Sequence, residues 1–178
     1  MTISPAIREQ VRQRANFACE FCGVTEVDTG GQLTIDHFQP KTKGGGDALD
    51  NLIYSCSRCN QYKLDYWPLT EDALSLWNPR QAPAAQHFLV LDDGLLHPLT
   101  EIGTFTIKRL RLNRKPLIDY RLRKKQRAEE VRLLTRYQEL VELLEQLNKQ
   151  MSRLMEEQQE LLQEQRDLLR LILGRRNE

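Results

Sequence analysis

No run of 18 or more apolar residues occurs in the chain, so a membrane-spanning helix is not expected. The N-terminus lacks the charged-then-apolar pattern of an export signal, and the expected setting is intracellular, in the cytoplasm. Charge of one sign is lacking as well: 26 Lys and Arg stand against 25 Asp and Glu. Between Pro116 and Gly174 there is neither proline nor glycine, and every aromatic residue except Tyr137 precedes residue 121. Together these absences divide the chain. The first two-thirds reads as a compact unit, and the remainder reads as a long helix, roughly 85 Å if wholly helical at 1.5 Å per residue.

The near-zero net charge conceals a local asymmetry. Residues 108–127 carry ten Lys or Arg (Lys108, Arg109, Arg111, Arg114, Lys115, Arg121, Arg123, Lys124, Lys125 and Arg127) against Asp119 alone. Residues 128–178 carry eight basic and eleven acidic side chains. A basic block of this kind suits contact with backbone phosphates, although each residue singly also fits a solvated helix face.

Along the chain, Ser4-Pro5 marks a helix start, and Ile7, Val11 and Ala15 form the apolar face of a short helix ending near Asn16. Residues 28–31 read as a turn. Leu33 to Ile35 reads as a short strand that delivers Asp36 and His37 at its end. Residues 39–47 read as a loop, 51–54 as a strand or a structured run into the second cysteine pair, and Asn60 onward as a helix stopped by Pro68. Residues 87–91 and 95–97 flank Asp92-Asp-Gly94 as a hairpin, and Gly103-Thr104 is placed at the start of a helix through Leu112. Trp67 and Trp77 read as core, and His87 and His97 receive no role. In the last third Leu133, Leu140, Leu147, Leu154, Leu161 and Leu168 fall seven apart, with Tyr137, Leu144, Met151 and Ile172 at the companion positions. Sustained heptads predict a coiled coil, as a homodimer or with a partner protein. A fold-back hairpin would need a break, for which Asn148 is the candidate.

The chemistry is concentrated elsewhere. Cys19 and Cys22 form one C-x-x-C pair, Cys56 and Cys59 another, and in a reducing compartment four such thiols favour a tetrahedral zinc site over disulfides. Between the pairs lie Asp36-His37 and Asn51, and Asn60 directly follows the last cysteine. Attack on a phosphodiester needs a deprotonated water, and a neutral imidazole near pH 7 suits that task, which makes His37 the candidate base. Asn51 is the candidate to orient its ring. Asp36 and Asn60 offer two hard oxygen donors for a catalytic Mg²⁺ or Mn²⁺. Lys41, Lys43, Arg58 and Lys63 are close in sequence and are candidates for phosphate contacts.

Residues from about Val11 to Tyr66, a third of the chain, resemble the HNH endonucleases, the zinc-stapled branch of the ββα-metal nucleases. The resemblance rests on the two C-x-x-C pairs, Thr34-Ile-Asp-His37, Gly44-Gly-Gly46, Asp50-Asn-Leu52 and Cys56-Ser-Arg-Cys-Asn-Gln-Tyr-Lys63. The segment Gly103–Arg121 is also similar to the stretch C-terminal to the nuclease core in some relatives. The family's last motif position is often His and here is Asn60, an HNN variant. An amide oxygen is harder than imidazole, which favours Mg²⁺ or Mn²⁺ over Ni²⁺ or Zn²⁺.

The resemblance implies an α+β fold: a nuclease domain over residues 1–116, with its core at about 11–66 and an accessory hairpin and helix at 67–116. Residues 117–178 would then form the coiled coil. It also implies cleavage of DNA, with RNA an open alternative. The competing reading is a non-catalytic zinc-knuckle adaptor that binds nucleic acid and tethers a partner through the coiled coil.

Overall fold

In the computed structural model, residues 3–70 and 72–174 are described, with side chains as far as residue 170. The fold is α+β. Residues 1–125 and 126–178 form two separate units.

Helix α1 (Pro5–Arg14) starts as the sequence predicts, with the Ser4 hydroxyl accepting from the Ile7 N–H at 3.3 Å. A four-residue helix, α2 (Glu26–Thr29), replaces the turn expected at 28–31. Thr25 and Asp28 cap it reciprocally, each side chain bonding the other's backbone N–H. Strand β1 (Thr34–His37) pairs antiparallel with β2 (Leu52–Ser55), Asp36 opposite Ile53 and His37 opposite Leu52. Asp36 and His37 therefore lie within the strand and its ladder. Helix α3 (Ser57–Lys63) begins earlier than expected, because Cys56 acts as its cap, and Leu64 ends it at φ 53°. Tyr66 is consequently off the helix.

Strand β2 is buried along its whole length, with Leu52, Ile53, Tyr54 and Ser55 at most 1 % exposed. Fully burying an aliphatic side chain of this size contributes about 1.5–3 kcal/mol, and Leu52 and Ile53 do so side by side. Tyr54 carries a polar end into the core, and each of its bonds is satisfied. Its hydroxyl donates to Glu26 and accepts from the Leu33 N–H at 2.9 Å. Arg12 clamps the same Glu26 with two bonds of 2.6 and 2.7 Å, and together with Tyr54 holds that carboxyl below the ordinary range against the opposing effect of burial.

The hairpin forms as expected, from β3 (Phe88–Val90) and β4 (Leu96–Pro98). Trp77 is core, edge-on to Phe88 at 5.3 Å and to Phe21 at 6.4 Å. Helix α4 (Glu101–Arg109) is capped by Thr100 and so starts three residues before the position expected from Gly103-Thr104. Gly103 lies inside it, at a point where a Cβ would stand 2.3 Å from the His87 carbonyl oxygen.

Helix α5 (Lys115–Gly174) runs through Asn148 without a break. Pro116 is in its first turn, where a missing N–H costs nothing. Its opening turns belong to the compact unit: Leu117 is 2 % exposed, and the Tyr120 hydroxyl donates to the Gly23 carbonyl at 2.6 Å. In the second unit the six heptad leucines are 51–64 % exposed. The side chain of Ile172 lies outside the described residues. Among the described residues, no helix is long and apolar enough to cross a membrane.

Candidate metal centre and the Asp36–His37 site

The four cysteines converge. Their sulfurs all lie within 4.8 Å of one another, and Cys22 Sγ and Cys56 Sγ are 3.7 Å apart. A disulfide needs about 2.05 Å, whereas tetrahedral Zn–S bonds of about 2.3 Å require sulfurs a little under 4 Å apart. The donor set and its spacing fit a structural zinc ion.

Local backbone chemistry sets up both halves of this centre. The first pair sits on a tight knuckle, in which the Cys19 N–H bonds the Val24 carbonyl at 2.9 Å and the Gly23 N–H bonds the Cys19 carbonyl at 2.7 Å. Gly23 makes the turn at φ 77°, a conformation that favours glycine. The second pair follows β2, and Cys56 Sγ accepts the Cys59 N–H at 3.4 Å. Glu20 ties the halves together, donating its N–H to the Tyr54 carbonyl at 2.8 Å and accepting the Tyr54 N–H on its carboxylate at 2.7 Å. The knuckle is thereby bonded to the strand that leads into α3.

Asp36 and His37 have different partners. Asp36 is largely buried, and Lys63 Nζ, from α3, stands 3.1 Å from its Oδ2. That ammonium also donates to the His37 carbonyl at 2.7 Å, and Asp36 Oδ2 accepts no well-aligned hydrogen bond. Burial pushes the Asp36 carboxyl above its ordinary range, and Lys63 only partly offsets this. Asn60 lies one helical turn before Lys63, and residues three apart are neighbours on a helix surface. No bond to the Asn60 side chain occurs among the described residues, so its amide oxygen remains available as a hard donor, beside an Asp36 carboxylate that is ion-paired with Lys63. In donor chemistry they fit a divalent cation such as Mg²⁺ or Mn²⁺.

Lys63 departs from the expected role. Its side chain is 0 % exposed, which makes it an internal counter-ion to Asp36 and leaves no surface for a phosphate. The expected contact between Asn51 and the imidazole is not made either. Asn51 Oδ1 accepts the Gln39 N–H at 2.7 Å, and Nδ2 donates to the carbonyls of Gln39 (3.1 Å) and Gly46 (2.8 Å). Asn51 closes the loop between β1 and β2. That loop carries the residue that does reach the ring, Asp47, whose Oδ1 is 2.7 Å from His37 Nε2.

Asp47 had no signature in the sequence beyond its place directly after Gly44-Gly-Gly46. Its position ten residues from His37 along a loop gives it no periodic relation to the ring. Lys41 Nζ binds its other oxygen at 3.0 Å, and Lys41 first and His37 second hold its carboxyl below the ordinary range. An ionised carboxylate on Nε2 calls for a proton there, which leaves Nδ1 as the basic nitrogen. No bond to His37 Nδ1 occurs among the described residues.

Gly45 shows how tightly this loop is drawn. A Cβ there would lie 1.8 Å from the Gln39 carbonyl oxygen and 2.9 Å from Asn51 Nδ2. Gly45→Ala is expected to destabilise the protein by about 1–3 kcal/mol or more, as overpacking against backbone does. Denaturant unfolding measures that loss, and an unchanged midpoint would refute the loop closure.

The other candidate contacts are dispersed. Lys41 is paired to Asp47, Lys43 lines a cavity of about 350 Å³ with Tyr66, Trp67 and Arg109, and Arg58 is exposed near the start of α3. Half of the basic block is engaged within the fold. Arg109 stacks over Tyr66 at 4.9 Å, Arg111 and Arg114 over Tyr62 at 5.0 and 5.5 Å, Arg121 bonds the Gly94 carbonyl at 2.6 Å, and Lys125 pairs with Asp92 at 2.7 Å.

A two-stranded antiparallel sheet, a helix after it and a four-cysteine centre that fits zinc make a small domain with Asp36 and His37 on its first strand. Residues 19–65 match the sequence model of the HNH endonuclease family, and this segment of the chain is an HNH domain. No curated protein and no solved structure matches the chain significantly.

Proposed function

We propose that the protein is a metal-dependent endonuclease that hydrolyses phosphodiester bonds of DNA. The observation that carries this reading is the His37–Asp47 pair within an HNH-family segment: Asp47 takes up Nε2 and leaves Nδ1 to remove a proton from the attacking water. Asp36 and Asn60 would hold the catalytic Mg²⁺ or Mn²⁺, which when bound supplies positive charge to the phosphate oxygens. Asn51 positions the loop that carries Asp47, and Lys63 keeps the Asp36 carboxylate in place. Cys19, Cys22, Cys56 and Cys59 hold the structural zinc, a role suited to a cytoplasmic setting. Lys41, Lys43 and Arg58 supply positive charge for the strand that is cut.

The exposed leucine heptads support assembly as a coiled coil, as a homodimer or with a partner. A parallel dimer would present two sites to opposite strands. Deleting residues 128–178 is expected to change the oligomeric state seen by sedimentation while leaving single-turnover cleavage intact. A truncation that loses all cleavage would contradict this division of labour.

One observation favours the non-catalytic adaptor reading: the Lys63 ammonium already neutralises the only carboxylate proposed to hold the catalytic cation. The two readings separate in one assay. Wild type and His37→Ala are incubated with supercoiled, linear and single-stranded DNA and with RNA, each with Mg²⁺ or Mn²⁺. Cleavage by wild type alone supports the nuclease, and the substrate arm cut identifies the sugar. Equal or absent cleavage in both supports the adaptor.

A further inference from the structure

A second basic feature lies on the zinc-knuckle side of the compact unit. A cavity of about 510 Å³ opens between the α2 region, the start of α3 and the first turns of α5. None of Asp36, His37 and Asn60 lines it. Arg58, Arg114 and Arg123 converge on it from three parts of the chain, with the rings of Tyr62 and Tyr120 in its wall.

The partners of these arginines are informative. Arg58 donates to the neutral Gln61 amide at 3.2 Å, and Arg114 to the Leu110 and Arg111 carbonyls, both at 3.2 Å. Arg123 is exposed. Among the described residues, none of the three forms an ion pair. Among the described residues that line the cavity, Asp28 is the one carboxylate, and it caps α2 through Thr25. Bringing like charges together costs free energy; Cys56 of the proposed thiolate centre also lines the cavity and offsets part of that charge, while the N–H groups of Arg123 stay open to an outside anion. Guanidinium forks match phosphate oxygens in geometry. The volume falls within the range of pockets that enclose small molecules or part of a larger one.

We propose that the cavity bounded by Arg58, Arg114, Arg123 and Tyr62 is a phosphate-binding site, separate from the Asp36–His37 site, that holds a backbone phosphate of a nucleic-acid strand. The source of the phosphate rests on the nucleic-acid reading above; the phosphate chemistry does not. A free nucleotide presents the same group, and the two sources separate by experiment.

Full-length protein carrying His37→Ala is titrated with labelled single-stranded DNA, duplex DNA and RNA, and separately with AMP and inorganic phosphate. Arg58→Gln with Arg123→Gln is then added, and compared with Lys108→Gln with Lys124→Gln, two exposed residues of the same basic block that do not line the cavity. The Arg58/Arg123 pair is expected to weaken strand binding about tenfold or more near 0.1 M salt. It should also lower the slope of log affinity against log salt by about one to two. The control pair, with the same loss of charge, should change affinity less than about threefold.

Loss confined to AMP and inorganic phosphate would keep the phosphate site and assign it to a free nucleotide. Equal losses in the two pairs, or no loss with any ligand, would overturn the proposal. The nuclease reading fails separately: a wild type that cuts plasmid while the two pairs behave alike keeps its activity and loses the cavity. A wild type that cuts nothing while the Arg58/Arg123 pair alone loses binding keeps the cavity and loses the activity.

Discussion

Cys22→Ser is expected to release the zinc ion and with it the folded state of residues 3–125. The magnitude comes from comparing two numbers. Structural zinc contributes on the order of 10 kcal/mol in small zinc-stapled units. The net stability of a whole domain is only about 5–15 kcal/mol. The knuckle that carries Cys19 and Cys22 is held otherwise by short backbone bonds, by Glu20 on Tyr54 and Arg80, and by the Tyr120 hydroxyl on the Gly23 carbonyl, too little to replace the ion. Phe21, between the two cysteines, is 5 % exposed and packs edge-on against Trp77, so loss of the knuckle opens the core around the indole. Metal analysis should fall from about one zinc per chain towards none, and Trp77 fluorescence should lose its cooperative melt. A zinc-free Cys22→Ser protein that melted at the wild-type temperature would remove the ion from its structural role.

His37→Ala should have the second large effect, on chemistry and not on fold. A positioned general base contributes about 10²–10⁴-fold to rate, and that is the expected loss in kcat. The His37 side chain bonds only Asp47 among the described residues, so zinc content and melting temperature should stay near wild type. Asp47→Asn separates base from positioning group. The amide keeps the size of the carboxylate but removes the charge that fixes the proton on Nε2, and a kcat loss on the order of tenfold to a hundredfold is expected, within the range for general-base catalysis. The KM for DNA should not rise, because losing the Asp47 charge leaves Lys41 uncompensated and adds positive charge beside the strand. Asp47→Asn with wild-type kcat would leave the ring's orientation to some other group.

Several features were legible in the sequence because they depend on local spacing. Two C-x-x-C pairs can serve one ion wherever the intervening chain goes. Ser4-Pro5 starts a helix through its own hydroxyl and ring, and a stretch without glycine or proline becomes a helix through Gly174. The β1–β2–α3 order was readable from short apolar runs, and its errors lie at element ends, where capping decides. Cys56 and Thr100 cap α3 and α4 ahead of the starts expected at Asn60 and at Gly103-Thr104.

What the sequence determined by itself is therefore the kind of chemistry: which residue types are present, in which order, and that four thiols belong to one centre. Only the tertiary structure decided which side chains meet. Lys63 turns inward because α3 packs its face on β1, where a buried carboxylate needs a counter-ion. Asp47 takes the role expected of Asn51 because the loop folds back on itself at Gly45, which lets the Asn51 amide close the loop and directs the Asp47 carboxylate to the imidazole. Contacts of that kind depend on how a loop closes in space, and neither heptads nor motif spacing encode it.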